Sequence, residues 1–240
     1  MTSAHRKIIF PLDVPDADRA MALAGLLSGH VGMFKVGLEL FISEGPGIVG
    51  RISDATGTPV FLDLKIHDIP ETVRRAMKQV SDLGAAMVTV HCDYSPAMLR
   101  AATEGAGPGL KVLGVTVLTS ISSEDIGRAG FKEIFEKNPV ELIMLRAKQA
   151  KECGCAGVVC SGLETAFIKS ALGRDFLAVT PGIRPSFSMS GKEDQKRVTT
   201  PAAAIKNGAD FIVIGRPIRD AADPVSAADR VADEISSALS

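Results

Sequence analysis

The chain has 240 residues, of which 46% are hydrophobic, and its formal net charge at pH 7 is −1. Such a chain can bury one large core, and its balanced charge gives no electrostatic reason to expect nucleic acid or an anionic membrane as a partner. The sequence contains no apolar run long enough to span a bilayer, and residues 1–7 lack the hydrophobic core of a signal peptide. We therefore expect a cytoplasmic protein with one domain over residues 1–240.

Cysteine and histidine usage indicates neither a disulfide framework nor a metal centre. Four cysteines are too few for a disulfide-built protein of this length. Cys153 and Cys155 form a C-x-C pair near the end of a predicted helix, but no second pair or histidine cluster accompanies them. His5 and His30 show nothing beyond a surface or loop position.

Short apolar runs rich in valine and isoleucine recur along the chain and predict strands that alternate with helices. The predicted strands are Ile8–Asp13, Met33–Leu38, Val60–Lys65, Met87–Cys92, Val112–Leu118, Gly157–Ser161, Ala178–Ile183 and Phe211–Gly215. Helical spacing fills the gaps, as in the apolar series of residues 73, 76, 77 and 80, and the last helix is predicted over residues 224–239. This order predicts an α/β protein built as a single-domain (β/α)₈ TIM barrel.

Two of the connections that follow predicted strands are long, namely Thr119–Gly130 and Pro185–Lys196. The second is composed mainly of small and polar residues. Both lie on the face where barrel enzymes carry their active sites, so we expect Pro185–Lys196 to act as a binding loop or lid.

The third predicted strand carries the most informative residues. Asp63 and Lys65 are two apart in an otherwise apolar run, so their side chains point to the same side of a strand. Burial of both charges is costly unless they compensate each other or perform chemistry. Asp68 follows just past the strand end. A structural ion pair is the alternative interpretation, but other strands also end in polar residues, which favours an active site.

The ends of the other strands supply further candidates for the mouth of the barrel. They are Asp13, Lys35, Thr119, Pro181, Arg184, Gly215 and Arg216. Gly215 and Arg216 lie at the end of the eighth strand, where backbone N–H groups and a cation commonly hold a phosphate. This pattern predicts a phosphorylated ligand without naming it.

The segment Asp63-x-Lys65-x-x-Asp68-Ile69-Pro70-x-Thr72-Val73 resembles the active-site signature of the orotidine 5′-phosphate decarboxylase family. Further segments resemble that family in the expected order: Leu12-Asp13, Phe34-Lys35-Val36-Gly37, Val117-Leu118-Thr119-Ser120, Thr180-Pro181-Gly182-Ile183-Arg184, Asp194-Gln195-Lys196-Arg197 and Ile214-Gly215-Arg216-Pro217-Ile218. The resemblance covers essentially the whole chain.

The resemblance implies decarboxylation of orotidine 5′-monophosphate to UMP in pyrimidine biosynthesis, with no metal and no organic cofactor. It implies a catalytic array of Lys35, Asp63, Lys65 and Asp68, in which Lys65 stabilises a carbanion at C6 and then protonates it. Asp68 and Thr72 are implied to reach into the site of a partner subunit, which makes the functional unit a homodimer with shared sites.

Roles in substrate binding are also implied by the resemblance. The ribose contacts are implied for Asp13, Lys35 and Thr72. Thr119 is implied to contact the pyrimidine edge and Pro181 to pack by the base. The phosphate contacts are implied for Gln195, Gly215 and Arg216, with Arg184 assisting.

Two rival interpretations remain at this point. A sugar-phosphate lyase or decarboxylase on the same barrel shares the Asp-x-Lys-x-x-Asp strand but uses Mg²⁺, and Lys35 on the second strand argues against it because a lysine repels a metal ion. A nucleotide-binding barrel without activity is the other rival, although every charge needed for the chemistry is present. A phosphoribosyl isomerase is less favoured, because it leaves the charged array without a purpose.

Overall fold

A computed structural model describes residues 1–92, 95–188 and 198–239 of the chain. Within these ranges, eight parallel strands pair in sequence order, and β1 pairs with β8 to close a barrel. The strands are β1 (Ile8–Pro11), β2 (Met33–Gly37), β3 (Val60–Ile66), β4 (Met87–His91), β5 (Lys111–Val115), β6 (Gly157–Val159), β7 (Leu177–Thr180) and β8 (Phe211–Val213). The predicted TIM barrel is confirmed.

Helices alternate with the strands and pack around the barrel. The helices of the described residues are α1 (Ala17–Leu27), α2 (Leu38–Glu44), α3 (Gly47–Thr56), α4 (Pro70–Asp82), α5 (Pro96–Gly105), α6 (Ser123–Arg128), α7 (Glu133–Lys137), α8 (Pro139–Glu152), α9 (Thr165–Leu172), α10 (Pro201–Lys206), α11 (Arg216–Arg219) and α12 (Pro224–Leu239). Two short 3₁₀ helices cover His5–Lys7 and Ser186–Ser188. No helix in the described part of the chain is long and apolar enough to cross a membrane.

The observed strands differ from the predicted ones mainly at their carboxyl ends. Seven of the eight described strands end one to three residues earlier than predicted, and β3 continues one residue further, to Ile66. The residues beyond the early ends bend away from the ladder to form the mouth of the barrel. At β7, for example, Pro181 has no N–H group with which to extend the ladder.

The connection over residues 119–130 was predicted as a loop, and this prediction is wrong in part because the segment contains α6. The side chain of Ser122 accepts a hydrogen bond from the N–H of Asp125, and the Asp125 carboxylate accepts one from the N–H of Ser122. This reciprocal cap satisfies N–H groups that a helix start otherwise leaves free. The other long connection begins with the 3₁₀ helix Ser186–Ser188, and its residues 189–196 lie outside the described residues.

Two apolar layers hold the barrel together. The larger one lies between the strands and the surrounding helices, where α4 contributes Val73, Met77 and Val80 at helical spacing. The smaller one fills the barrel interior with one buried side chain from each of six strands: Ile9, Met33, Phe61, Met87, Leu113 and Val179. This inner layer forms a floor, and the next inward-facing position on each strand lies nearer the mouth.

A close strand contact at Gly157 yields a test of this packing. Gly157 pairs in register with Leu113 and Leu177. A Cβ atom at this glycine would lie 2.3 Å from the carbonyl oxygen of Leu177 and 2.4 Å from its Cβ. We therefore expect Gly157→Ala to lower the free energy of unfolding by about 1–3 kcal/mol, measured by urea unfolding with circular dichroism.

Gly50→Ala is the matched control. Gly50 lies inside α3, and a Cβ atom there meets no other atom within 4 Å. In a helix interior alanine is more favourable than glycine by up to about 1 kcal/mol, so the free energy of unfolding of this variant stays the same or rises. Equal unfolding free energies for the two variants would contradict the packing argument.

Candidate active site

A cavity of about 430 Å³ opens at the carboxyl ends of the strands. Most of the residues predicted for the site line it: Asp13, Lys35, Asp63, Lys65, Thr119, Pro181, Arg184, Gly215 and Arg216. They come from loops and strand ends that are far apart in sequence, and the closed barrel brings them to one face. This face and this size suit a small-molecule site.

The period of two along β2 and β3 explains why charged side chains line the cavity. Met33 and Phe61 belong to the inner apolar floor. Lys35 is two residues beyond Met33, and Asp63 is two residues beyond Phe61, so both side chains enter the barrel one layer above the floor. The alternation of side chains along β2 and β3 that fills the interior therefore also places the charges in the cavity.

Lys35, Asp63 and Lys65 form a continuous ion-pair row. The Nζ atom of Lys65 donates to Asp63 Oδ2 at 2.9 Å, and the Nζ atom of Lys35 lies 3.6 Å from the same oxygen. Lys35 also donates to Asp13 Oδ1 at 2.9 Å. The row thus alternates in sign, from Asp13 through Lys35 and Asp63 to Lys65.

Asp63 is the acidic centre of this row, and only 15% of its side chain is exposed. Burial by itself raises the pKa of the Asp63 carboxyl group. The ammonium groups of Lys35 and Lys65, with hydrogen bonds from Lys65 and Thr89, outweigh burial and hold that pKa below its ordinary value. Asp63 is therefore ionised at neutral pH, and both ammonium groups gain a compensating charge.

Lys65 has an unusual backbone. Its φ angle is +51°, which makes it the one non-glycine residue with positive φ among the described residues. The pairing of β3 with β4 shifts here, because Leu62 pairs with Val88 whereas Ile66 pairs with Val90. Four steps along β3 therefore match two steps along β4, and β3 bulges at Lys65. Such strained positions concentrate at functional sites, where the surrounding structure stabilises them.

Thr89 on β4 stabilises this bulge through its side chain. Its Oγ1 atom accepts a hydrogen bond from the backbone N–H of Lys65 at 2.8 Å and donates one to Asp63 Oδ1 at 2.9 Å. Thr89 is fully buried. One hydroxyl group thus replaces the backbone partner that the bulge removes and orients the carboxylate that faces both lysines.

The opposite side of the cavity carries the residues predicted to hold a phosphate. Gly215 has no room for a side chain, because a Cβ atom would lie 2.8 Å from Cγ of Pro11. Arg216 begins α11 directly after Gly215, and Arg184 lines the same side. Cationic side chains beside a glycine can bind an anionic group, so this side suits the phosphate of a nucleotide.

Three predicted residues are not placed in the cavity. Asp68 and Thr72 are exposed, and neither lines the cavity of this chain. The carboxylate of Asp68 accepts a hydrogen bond from the N–H of Ile69 at 2.6 Å. Gln195 lies outside the described residues.

Sequence reasoning missed three residues of the site. Thr89 sits between Met87 and His91 at an inward position of β4, a signal that the alternation of that strand contained. Arg219 lines the cavity and donates from its guanidinium group to the carbonyl oxygen of Asp13 at 3.1 Å. Cys160 forms part of the cavity wall; burial raises the pKa of its thiol to about 12, so it stays protonated.

Comparison with known proteins agrees with this geometry. The chain matches the model of the "Orotidine 5'-phosphate decarboxylase / HUMPS family" over residues 6–231. A protein of Desulfosudis oleivorans named orotidine 5′-phosphate decarboxylase is 49% identical, over 97% of this chain and 94% of the relative. A protein of the same name from Trichlorobacter lovleyi is 46% identical, over 97% of this chain and 96% of the relative.

Solved structures show the same likeness. The crystal structure of orotidine 5′-phosphate decarboxylase from Lactobacillus acidophilus superposes with a TM-score of 0.80 at 36% sequence identity, over 96% of this chain and 99% of that chain. The enzyme of the same name from Pyrococcus horikoshii superposes with a TM-score of 0.75 at 26% identity. By the match over residues 6–231 and by these relatives, this chain belongs to the orotidine 5′-phosphate decarboxylase / HUMPS family.

Proposed function

We propose that this chain converts orotidine 5′-monophosphate to UMP and CO₂ in pyrimidine biosynthesis, and that its own side chains carry the reaction without a cofactor. The single observation that carries the proposal is the row Lys35–Asp63–Lys65 in a cavity with cationic groups at its far side. The names of the relatives support the same activity. A cytoplasmic location, where the nucleotide is made and used, is part of the proposal.

The difficult step breaks the bond between C6 of the pyrimidine and the carboxylate carbon. The electron pair stays on C6 and CO₂ leaves. The proposed role of Lys65 is to place its ammonium group beside C6, where a fixed positive charge stabilises the carbanion. Its Nζ proton then moves to C6 and completes UMP, and the neutral amine regains a proton from solvent.

Asp63 has two proposed functions in this step. Its carboxylate keeps the Lys65 ammonium oriented at 2.9 Å before the substrate arrives, so no reorganisation is needed when charge develops on C6. It also lies on the side of the cavity from which the substrate carboxylate departs. Asp68 of a partner subunit extends the alternating array beyond Lys65.

The remaining site residues bind the nucleotide in this proposal. Asp13 and Lys35 contact the ribose hydroxyl groups, and their mutual hydrogen bond at 2.9 Å holds both in place. Thr119 contacts the pyrimidine edge, and Pro181 packs by the base. Phosphate contacts are proposed for Arg184, Gln195, Gly215 and Arg216. Binding energy from the phosphate helps to hold C6 against Lys65.

A homodimer with shared sites is a further part of the proposal. It is supported by the positions of Asp68 and Thr72 at the start of α4, exposed beside the mouth and outside the cavity of their own chain. Ile69 between them exposes 67% of its side chain, as expected for a residue that a second subunit covers. Two-fold symmetry then brings Asp68 and Thr72 of each subunit towards the site of the other.

The two rival interpretations have less support. A magnesium-dependent lyase needs an acidic ligand near the β2 position that Lys35 occupies, and Lys35 is already paired with Asp13 and Asp63. Burial of the charges in the row costs free energy of desolvation, and a barrel without activity gives no reason for their presence. The curated relatives quoted above are named decarboxylases.

The activity itself is tested by the absorbance change of orotidine 5′-monophosphate with EDTA-treated protein. We expect conversion to UMP, and we expect Lys65→Ala to reduce kcat by at least about 1,000-fold, because it removes both the charge beside C6 and the proton donor. UMP binding, measured by calorimetry, serves as the control for an intact site. Near-normal turnover by this variant contradicts the role of Lys65, and turnover of a keto-sugar phosphate only with Mg²⁺ favours the lyase.

Thr89→Val tests whether the hydroxyl group of Thr89 positions Lys65. Valine has the same shape but removes the hydrogen bonds that Thr89 makes with the N–H of Lys65 and with Oδ1 of Asp63, at a cost of about 1–3 kcal/mol. We expect kcat to fall by roughly 5- to 150-fold while KM changes little. Thr89→Ser keeps the hydroxyl group and is the matched control. Equal kcat values for the two variants would remove Thr89 from the positioning of the lysine.

Subunit mixing tests the shared site. Lys65→Ala and Asp68→Ala each inactivate one component, and a mixed dimer contains one site with Lys65 from one chain and Asp68 from the other. After full exchange we expect about one quarter of the wild-type activity, because half of the dimers are mixed and each has one intact site. The absence of any recovery, with exchange demonstrated by mass spectrometry of tagged subunits, argues that each chain uses its own Asp68.

A further inference from the structure

A second cluster of polar side chains lies at the opposite end of the barrel from the cavity. His5 belongs to the 3₁₀ helix directly before β1, and His30 lies in the turn between α1 and β2. Asp229 lies in α12, 224 residues after His5 and 199 residues after His30. The fold therefore joins three segments that the sequence keeps far apart.

The three side chains contact each other closely. Asp229 Oδ1 lies 2.8 Å from Nε2 of His5 and 2.8 Å from Nδ1 of His30. The three atoms that can act as ligands all lie within 4.8 Å of one another. Side-chain exposure is 14% for His5, 34% for His30 and 45% for Asp229, so the cluster is half-buried and open to solvent on one side.

We propose that His5, His30 and Asp229 form a binding site for a divalent transition-metal ion of the zinc class. Two imidazole nitrogens and one carboxylate oxygen are a ligand set that Zn²⁺ and its neighbours prefer, whereas Mg²⁺ and Ca²⁺ prefer oxygen ligands throughout. With neutral histidines the cluster carries one negative charge, which favours a cation. Water can complete the coordination shell from the open side.

The distances require only a small rearrangement. Tetrahedral zinc with bonds of about 2.0–2.1 Å separates its ligand atoms by about 3.3 Å. Each contact from Asp229 Oδ1 to a ring nitrogen, now 2.8 Å, opens by about half an ångström, and the two ring nitrogens, which lie within 4.8 Å of each other, come to the same spacing. The hydrogen bonds of the metal-free cluster give way to bonds with the ion.

Thr2 supplies the outer contact that a metal-binding histidine normally has. Its Oγ1 atom lies 2.8 Å from Nδ1 of His5, the ring nitrogen that faces away from Asp229. In the structure Nδ1 also accepts a hydrogen bond from the backbone N–H of Thr2 at 3.3 Å. When Nε2 of His5 binds an ion, the ring proton takes Nδ1 and donates to the hydroxyl oxygen, which replaces that hydrogen bond. Such partners fix the ring orientation and the tautomer of the ligand.

The proposed ion has a structural consequence. It ties the segment before β1 and the turn before β2 to the last helix of the chain, α12. Because the unfolded chain separates these ligands by about 200 residues, as the positions of His30 and Asp229 show, the ion binds the folded state preferentially and stabilises it. This site does not depend on the decarboxylase proposal.

The experiment is a titration of EDTA-treated, dialysed protein with ZnCl₂ by calorimetry, with MgCl₂ as the comparison ion. We expect one zinc ion per chain and no binding of magnesium at the same concentrations. Asp229→Asn keeps an oxygen that accepts hydrogen bonds from both rings but removes the charge, so it preserves the fold. We expect at least about a tenfold loss of zinc affinity in this variant and in His30→Ala, since loss of an outer-shell partner alone costs 10- to 100-fold.

Cys153→Ser is the matched control, because Cys153 and Cys155 offer zinc an alternative pair of ligands. We expect this variant to bind zinc like the wild type. A thermal melt provides the second measurement: zinc raises the melting temperature of the wild type and of Cys153→Ser, but not that of Asp229→Asn. No zinc binding by the wild type, unchanged affinity in Asp229→Asn and His30→Ala, or loss of binding only in Cys153→Ser would each overturn the proposal.

Discussion

The site depends on the ion pairs that the ionised carboxylate of Asp63 makes with two lysines. The carboxylate accepts a hydrogen bond from the Nζ atom of Lys65 at 2.9 Å and lies 3.6 Å from the Nζ atom of Lys35. It also accepts a hydrogen bond from the hydroxyl group of Thr89. Without it, two ammonium groups would face each other in a half-buried cavity with no opposite charge between them. With it, each ammonium group has a carboxylate oxygen within 4 Å. Stability and chemistry therefore depend on one ion-pair network.

The apolar floor of the barrel strengthens the attractions within this network, and the open mouth limits the desolvation of its outer members. Met33 and Phe61 fill the interior directly below Lys35 and Asp63. The floor excludes water from one side, which strengthens the electrostatic interactions above it, while the open mouth solvates Asp13, about half of whose side chain is exposed. A fixed array in such surroundings acts on developing charge without first reorganising, which suits the carbanion of the proposed reaction.

Much of the fold and of the charged row could be predicted from the sequence because both depend on periodicity. Asp63 and Lys65 break an apolar strand at a spacing of two, and this pattern places both on the inner side of the barrel. The role of Thr89 could not be predicted, because threonine is an ordinary strand residue. Only the bulge at Lys65 brings the backbone N–H of that lysine to the Thr89 hydroxyl group. The cluster of His5, His30 and Asp229 gave no signal, because contacts across about 200 residues leave no local pattern.

Backbone strain and the proposed catalytic role coincide at Lys65. Lys65 combines a φ of +51° with a 2.9 Å hydrogen bond from its Nζ atom to Asp63. The Thr89 hydroxyl group accepts a hydrogen bond from the backbone N–H of Lys65 at the same bulge. The conformation is retained because Asp63 and Thr89 hold Lys65 at its side chain and its backbone at the same time.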